Sequence, residues 1–191
     1  MKEDVRTSHI PIILLTAKDS LQDKEEGYQV GADSYLTKPF SATLLHSRIN
    51  NLLESRKRLT ERFNTSTPHH NMDEKRALLA ESLNKLDNEF IEKINQLIEA
   101  RLSSEKIDIG YLADNMCMSK STLYRKMKAL TGLSTNEYVR KIKMQHAERL
   151  LLEGRYNISE VAFRVGINSV VYFRQCFKEE FGVLPSEYLK Q

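Results

Sequence analysis

The chain has 191 residues, 40% of them hydrophobic, with 29 Lys/Arg against 26 Asp/Glu and a mean hydropathy of −0.49, which fits a globular protein of one or two domains. No apolar run approaches the ~20 residues of a membrane span, and the polar start Met1-Lys2-Glu3-Asp4-Val5-Arg6 does not read as a secretory signal. Two cysteines, Cys117 and Cys176, offer no metal or disulfide spacing, so a reduced, cytoplasmic setting is expected.

Residues 9–40 read as strand, helix and strand. Ile10-Pro11-Ile12-Ile13-Leu14-Leu15-Thr16 is a short continuous apolar run, the pattern of a strand buried on both faces. A polar helix is expected over Ser20–Val30, closed by Gly31. Ser34-Tyr35-Leu36-Thr37 is a second strand, halted at Lys38-Pro39. A long amphipathic helix starts near Ser41, with Leu44, Leu45, Ile49, Leu52, Leu53 and Leu59 as its apolar stripe. Asn64-Thr65-Ser66-Thr67-Pro68-His69-His70-Asn71 is a polar linker, and Asp73–Leu86 a short helix. These signals divide the chain into 1–63, a connection over 64–86, and an all-helical domain over 87–191.

The helical domain opens with a helix near Asn88–Leu102, with Phe90, Ile91, Ile94, Leu97 and Ile98 inward. Caps at Asp108 and Ser119 begin the next two helices, which end near Met116 and before Gly132. Ser134-Thr135-Asn136-Glu137 is a capping box for a helix reaching about Glu153 and closed by Gly154. Asn157, with Glu160 three residues on, starts another; one more runs from Asn168 to Phe181, and Pro185 opens the last.

One pattern occurs twice. Leu112-Ala113-Asp114-Asn115-Met116 aligns with Val161-Ala162-Phe163-Arg164-Val165 at an offset of 49 residues. Leu123-Tyr124-Arg125-Lys126-Met127-Lys128 aligns with Phe173-Arg174-Gln175-Cys176-Phe177-Lys178 at an offset of 50, as Gly132–Tyr138 does with Gly182–Tyr188. A duplicated helix-turn-helix follows, with one extra residue in the second turn. Charge follows the repeat: residues 119–178 hold 12 Lys/Arg against 4 Asp/Glu, and residues 87–116 hold 3 against 7. A basic stretch over both second helices predicts attraction to a polyanion. The helix between the units, some twenty residues long, is a rod of ~30 Å. Adjacent major grooves on one face of a duplex are ~34 Å apart, so the rod suits two reading helices in neighbouring grooves.

With these motifs, together with Ser119-Lys120-Ser121-Thr122 and Ile158-Ser159-Glu160, residues 88–191 resemble the AraC-type DNA-binding domain. The resemblance implies a sequence-specific transcription regulator that contacts double-stranded DNA and RNA polymerase, needs no cofactor and is not an enzyme. It makes Lys120, Ser121, Tyr124 and Arg125 in the first unit, and Val170, Val171, Arg174 and Gln175 in the second, the candidates for base contact. The two valines depart from the polar residues expected there and suit thymine methyl groups or packing. Lys126, Lys128 and Lys178 are the candidates for phosphates. Leu123, Met127, Phe173 and Phe177 read as core, Tyr138 and Tyr188 as packing, and both cysteines as small hydrophobes. Arg164 fits a buried ion pair or a phosphate contact. Arg140, Lys141 and Lys143 fit a solvated helix face.

Residues 9–63 resemble the second half of a response-regulator receiver domain, through Ile12-Ile13-Leu14-Leu15-Thr16-Ala17 and Gly31-Ala32-Asp33-Ser34-Tyr35-Leu36-Thr37-Lys38-Pro39-Phe40. The implied fold is mainly α: about seven helices in a double helix-turn-helix domain, preceded by a truncated flavodoxin-like α/β remnant with two short parallel strands. By this resemblance Thr16 and Lys38 bind a phosphoryl group, Tyr35 is the aromatic that moves on activation, and the Lys38-Pro39 bond is cis. The order receiver then AraC-type domain resembles the C-terminal end of a hybrid two-component sensor kinase/response regulator, whose membrane-anchored sensor and kinase precede this region. Met1 would then lie inside a receiver helix, as in a truncated form. So little sheet is expected to be loosely ordered or to lean on another surface, and a homodimer contact is the further expectation for this part.

The alternative from another class is a signalling or interaction fragment that pairs through the receiver portion and binds DNA weakly. An enzyme has little support: His9, His46, His69, His70 and His146 are scattered, and a metal site at His69-His70 lacks further ligands. The acidic pair and acceptor aspartate of receivers lie on strands upstream of this resemblance, and Asp4, Asp19, Asp23 and Asp33 do not fall at their positions. The chain is therefore expected to take no phosphate from acetyl phosphate; a hydroxylamine-sensitive label on it would refute this.

Overall fold

The computed structural model describes residues 1–17, 31–64, 85–103 and 107–189. The helix expected over Ser20–Val30, the linker beyond Asn64 and nearly all of the Asp73–Leu86 helix lie outside the described residues. Strands β1 (Ile13–Thr16) and β2 (Ser34–Thr37) pair in parallel, with Ile13 opposite Ser34 and Thr16 opposite Thr37. Gly31 has φ +89°, the left-handed conformation expected of it. The Lys38-Pro39 bond is cis. Helix α1 (Ala42–Asn64) follows, its first turn capped by the Ser41 hydroxyl, which accepts from Leu44 N at 3.1 Å.

The apolar stripe of α1 is not buried as its periodicity predicts. Leu44, Ile49 and Leu53 stand in solvent, and Leu45 and Leu52 are half-buried. A two-stranded sheet cannot cover a long helix, and the neighbour α1 does acquire belongs to the helical domain.

That domain comprises α2 (Lys85–Glu99), α3 (Ile109–Asn115), α4 (Lys120–Thr131), α5 (Thr135–Leu152), α6 (Ile158–Arg164), α7 (Val170–Phe181) and α8 (Pro185–Tyr188). The first of these starts three residues before the expected Asn88. The repeat is exact in its bounds: α3 maps onto α6, α4 onto α7, and the starts of α5 and α8 correspond. The extra residue sits in the second turn, between Arg164 and Val170. Hydroxyls of Ser119, Ser134 and Ser169 and the side chains of Asp108 and Asn157 cap the five middle helices by accepting first-turn amides. Gly132 and Gly182 end the second helix of each unit at φ +74° and +80°. In the first turn Cys117 takes φ +52°, where the second unit has Gly166 at +67°. Cys117 is thus an exposed turn residue and not the buried small hydrophobe expected; Cys176 is buried. A side chain there costs about 1–2 kcal/mol in the left-handed region.

Leu112, Leu123, Met127, Val161, Phe173 and Phe177 are fully enclosed in one continuous core. Tyr138 and Tyr188 play matched packing roles: Tyr138 is buried and donates to Asn95 Oδ1 at 2.9 Å, while Tyr188 packs edge-on against Phe177 and donates to the Glu148 carboxylate. Among the described residues no helix is long and apolar enough to cross a membrane.

The two parts meet at the back of α4. Lys126 is wholly buried; its Nζ lies 2.6 Å from Asp87 Oδ1 and 2.8 Å from Ser8 Oγ, donates to the Val5 carbonyl, and stands 4.7 Å above the Phe90 ring. Ser8 also donates to Asp87 at 2.6 Å. Burial pushes the ammonium pKa down, and the Asp87 hydrogen bond and charge pull against it. Beside it, His9 is buried with Nδ1 lacking a hydrogen-bond partner, and the Arg56 guanidinium of α1 donates to the His9 carbonyl. The N-terminal part leans on the helical domain through this junction.

Breaking a buried pair strands a charge. Asp87→Ala should cost about 3–5 kcal/mol in urea denaturation, and Asp87→Leu combined with Lys126→Met should recover most of it. Burial, then the Lys126 charge, holds His9 below its ordinary pKa of 6.5, with Asp87 opposing. A depressed folded-state pKa gives stability that is full above the unfolded value and declines as pH falls. Thermal midpoints should therefore drop from about pH 7.5 to about 5.5, and His9→Gln should shrink the drop. His146, also lowered by burial, keeps part of it.

Candidate nucleic-acid interface

Both second helices turn a matching face outward. With ~100° per residue, Lys120, Ser121, Tyr124, Arg125 and Lys128 share one side of α4, and all are exposed. On α7 the corresponding side carries Val171, Arg174, Gln175 and Lys178, again exposed. Leu123, Met127 and Leu130, and Phe173, Cys176 and Phe177, fill the opposite sides. Neither helix has an acidic residue in its first turn, whereas α5, α6 and α8 each do. The positive dipole end of each of these two helices therefore has no carboxylate at its cap or in its first turn and remains favourable to an anion.

Within this set the side chains differ. Arg125 Nε reaches back to Ser121 O at 3.4 Å, leaving most of the guanidinium fork outward. Lys120 folds over Gly110: a Cβ on Gly110 would lie 3.2 Å from its Nζ, so the glycine makes room for the lysine. Val171 is 77% exposed, an apolar side chain offered to solvent on the outward face of α7. Val170 is half-buried against the core, which favours packing for that residue. Gln175 donates to Glu179 Oε1 at 3.1 Å.

Lys126 is the correction. It sits roughly 150° around α4 from the reading face, buried in its ion pair with Asp87, and does not reach phosphate. The signal was present: Asp87 lies three and four residues before Phe90 and Ile91, and Lys126 four before Leu130, so both occupy apolar stripes. A charge on such a stripe calls for an opposite charge.

Two more basic residues leave the solvated set. Lys141, nine-tenths buried, pairs with Glu180 at 3.2 Å, and Lys143, equally buried, donates to the Gly166 carbonyl at 3.3 Å. Arg140 stays exposed and meets Glu179 at 3.4 Å. All three tie α5 to the second unit. Arg164 is exposed and stacks on the Tyr156 ring at 3.9 Å, so it is not a buried ion-pair partner.

In the N-terminal part, Thr16 and Lys38 meet where the parallel strands end, and Lys38 N donates to Thr16 O at 2.7 Å. Thr16 and Tyr35 are half-buried and Lys38 is exposed. Asp33 lies at the other end of β2, where it accepts from Ile12 N at 2.7 Å and pairs with Lys2 at 2.7 Å. Asp4 is clasped by Arg6 at 2.7 Å, which lowers its pKa to about 2. Neither carboxylate joins Thr16 and Lys38. Asp19 and Asp23 lie outside the described residues.

A helix-turn-helix domain model matches residues 112–191, and a response regulator receiver domain model matches residues 2–50. Histidine kinase P4 of Formosa agariphila is 35% identical over 188 residues, 98% of this chain and 13% of that protein. The DNA-binding dual transcriptional regulator Rns of Escherichia coli is 32% identical over 99 residues, 52% of this chain and 37% of that protein. The chain thus spans well under half the length of either relative. Among solved structures, the C-terminal domain of AraT, a response regulator from Geobacillus stearothermophilus, is 31% identical, with a TM-score of 0.49 over 53% of this chain and 84% of that one. The chain thus carries an AraC-type helix-turn-helix domain over residues 112–191 and a response-regulator receiver portion over residues 2–50.

Proposed function

We propose that the chain is the DNA-reading output end of a two-component regulator, with α4 and α7 entering neighbouring major grooves of one duplex. The observation that carries this reading is the pair of equivalent helices with exposed polar faces and acid-free first turns. They flank a rod of 18 residues, ~27 Å long at ~1.5 Å per residue. Arg125 and Arg174 are the direct base readers: a guanidinium fork matches the acceptor pair of guanine. Ser121 and Tyr124 approach the same groove, and Val171 offers a methyl surface to thymine. Lys128 and Lys178, with the helix N-termini, hold phosphates and set the register. Lys120, leaning on Gly110, serves base or phosphate from the edge of α4.

The work proposed for this chain is binding, not catalysis, and it is placed in the cytoplasm with its DNA. The exposed Leu44, Ile49 and Leu53 on α1 favour a pairing face on the receiver portion, where a second copy would cover them. Contact with RNA polymerase is part of the same reading. Thr16, Tyr35 and Lys38 keep the switch positions of a receiver, without an acceptor aspartate beside them among the described residues.

Titrating the chain onto DNA carrying its selected site at several salt concentrations tests the proposal. Affinity should fall with a log–log slope near 0.9 per phosphate contact. Arg125→Ala should lower specific binding by ~1–3 kcal/mol and leave nonspecific binding nearly intact. Lys128→Ala should weaken all sequences alike and reduce the slope by about 1. A salt-independent isotherm, or an Arg125→Ala footprint identical to wild type, defeats the reading.

A further inference from the structure

The two helix-turn-helix units are copies, yet one position separates them chemically. Lys126 of α4 corresponds to Cys176 of α7, and both are buried. In the second unit a small apolar residue meets the packing demand. The first unit keeps an ammonium there, although a well-packed apolar residue is often as stable or more so than a buried ion pair. Fold stability alone does not account for the charge.

Its partners do. Two of the three oxygens that accept from Lys126 Nζ, the Val5 carbonyl and the Ser8 hydroxyl, come from the N-terminal part, and Asp87 comes from the first turn of α2. Ser8 is fully buried and bridges to Asp87. Val5 packs against the helical core, and α1 packs along α4. The contacts lie on the back of α4 and leave Tyr124, Arg125 and Lys128 exposed. No comparable packing of α1, β1 or β2 against α7 is present among the described residues.

We infer that Ser8, Asp87 and Lys126 form a latch through which the N-terminal part sets the position of the first reading helix and leaves the second alone. The docked part supports α4 from behind without covering its reading face, so its state tunes one half-site of the DNA. This rests on the assignment of α4 and α7 as reading helices, but the latch itself can be measured without DNA.

Amide ¹H–¹⁵N spectra of the full chain would be compared for wild type, Ser8→Ala and Ser8→Asp. Ser8→Ala removes the bridging hydroxyl and keeps the ion pair; Ser8→Asp sets a second carboxylate against Asp87. Shift changes are expected in α4 and the first turn of α2, with α7 and its preceding turn unmoved. If Ser8→Asp fails to fold, Ser8→Ala carries the comparison. Changes confined to residues 1–17, or equal in α4 and α7, overturn the latch. With DNA, hydroxyl-radical protection should weaken about 5-fold or more at the half-site assigned by Arg125→Ala. It should hold at the half-site assigned by Arg174→Ala; equal weakening at both overturns the one-sided coupling. If wild type protects no DNA, the DNA-reading assignment fails, and the spectra still decide the latch.

Discussion

A rod can hold two helices at a fixed spacing only if neither swivels against it, and the attachments of α5 are the constraint on which the proposed interface depends. At its N-terminal end Tyr138 is buried and bonded to Asn95 of α2, which fixes the rod to the first unit's supporting helix. Further along, Lys141 and Arg140 hold Glu180 and Glu179 of α7, and Lys143 holds the Gly166 carbonyl in the turn between α6 and α7. Three basic side chains thus reach across to the second unit, Lys141 and Lys143 from buried positions and Arg140 at the surface. The Lys141 and Lys143 contacts are buried, where screening is weak, so they orient α7 more firmly than surface pairs would. The basic stretch read from composition therefore has two jobs. One share of it builds the scaffold, and another, Lys120, Arg125, Lys128, Arg174 and Lys178 on the outer sides of α4 and α7, is the share proposed to meet a polyanion.

The same division separates the duplicated units. Their helices repeat to the residue, with one extra residue in the second turn, serine caps at Ser119 and Ser169 and left-handed glycines at Gly132 and Gly182. Their surroundings do not repeat. The α7 core face is aromatic, with Phe177 in tilted contact with Phe173 and Phe181 and edge-on to Tyr188. The α4 core face ends in the Lys126 ammonium, enclosed by residues distant in sequence. Duplication supplied two equal geometries, and the different neighbours of each made them chemically unequal.

Much of this was legible because it is local. Cap residues, glycine ends, the helical spacing of Leu123 and Met127, and the offset between repeats are all encoded within a few residues of where they act. The base-contact candidates on α4 came from the AraC-type resemblance, and the structure leaves Lys120, Ser121, Tyr124 and Arg125 exposed. What escaped the sequence were long-range pairings. Lys126 has the type and region of a phosphate contact, and only its phase on the helix, combined with Asp87 on another apolar stripe, marks it as internal. Ser8 carries no such sign; its role appears only when the N-terminal segment folds across α2 and α4. Lys141 and Lys143 sit on a helix with neighbours on several sides, so that no single stripe separates inside from outside. Cys117 shows the opposite failure: its backbone conformation is visible in the repeat alignment, where it faces Gly166, yet composition alone reads it as a hydrophobe.

The N-terminal part illustrates why a small sheet needs a host. Two four-residue strands bury little apolar surface, and α1 leaves much of its stripe in water. Such an element gains order from what it docks against. Here the docking site is the back of a helix whose front is exposed, and beside the packing of Val5 and α1 the contact has a polar centre that is geometrically demanding: one ammonium, one carboxylate, one hydroxyl and one carbonyl. An apolar contact would tolerate sliding by a fraction of a side chain. A buried charge with three oxygen partners does not, because each lost partner exposes a desolvation penalty. The junction therefore specifies one seating of the N-terminal part on α4, and that exactness makes it suited to carrying a signal into the helix and not merely to holding the two parts together.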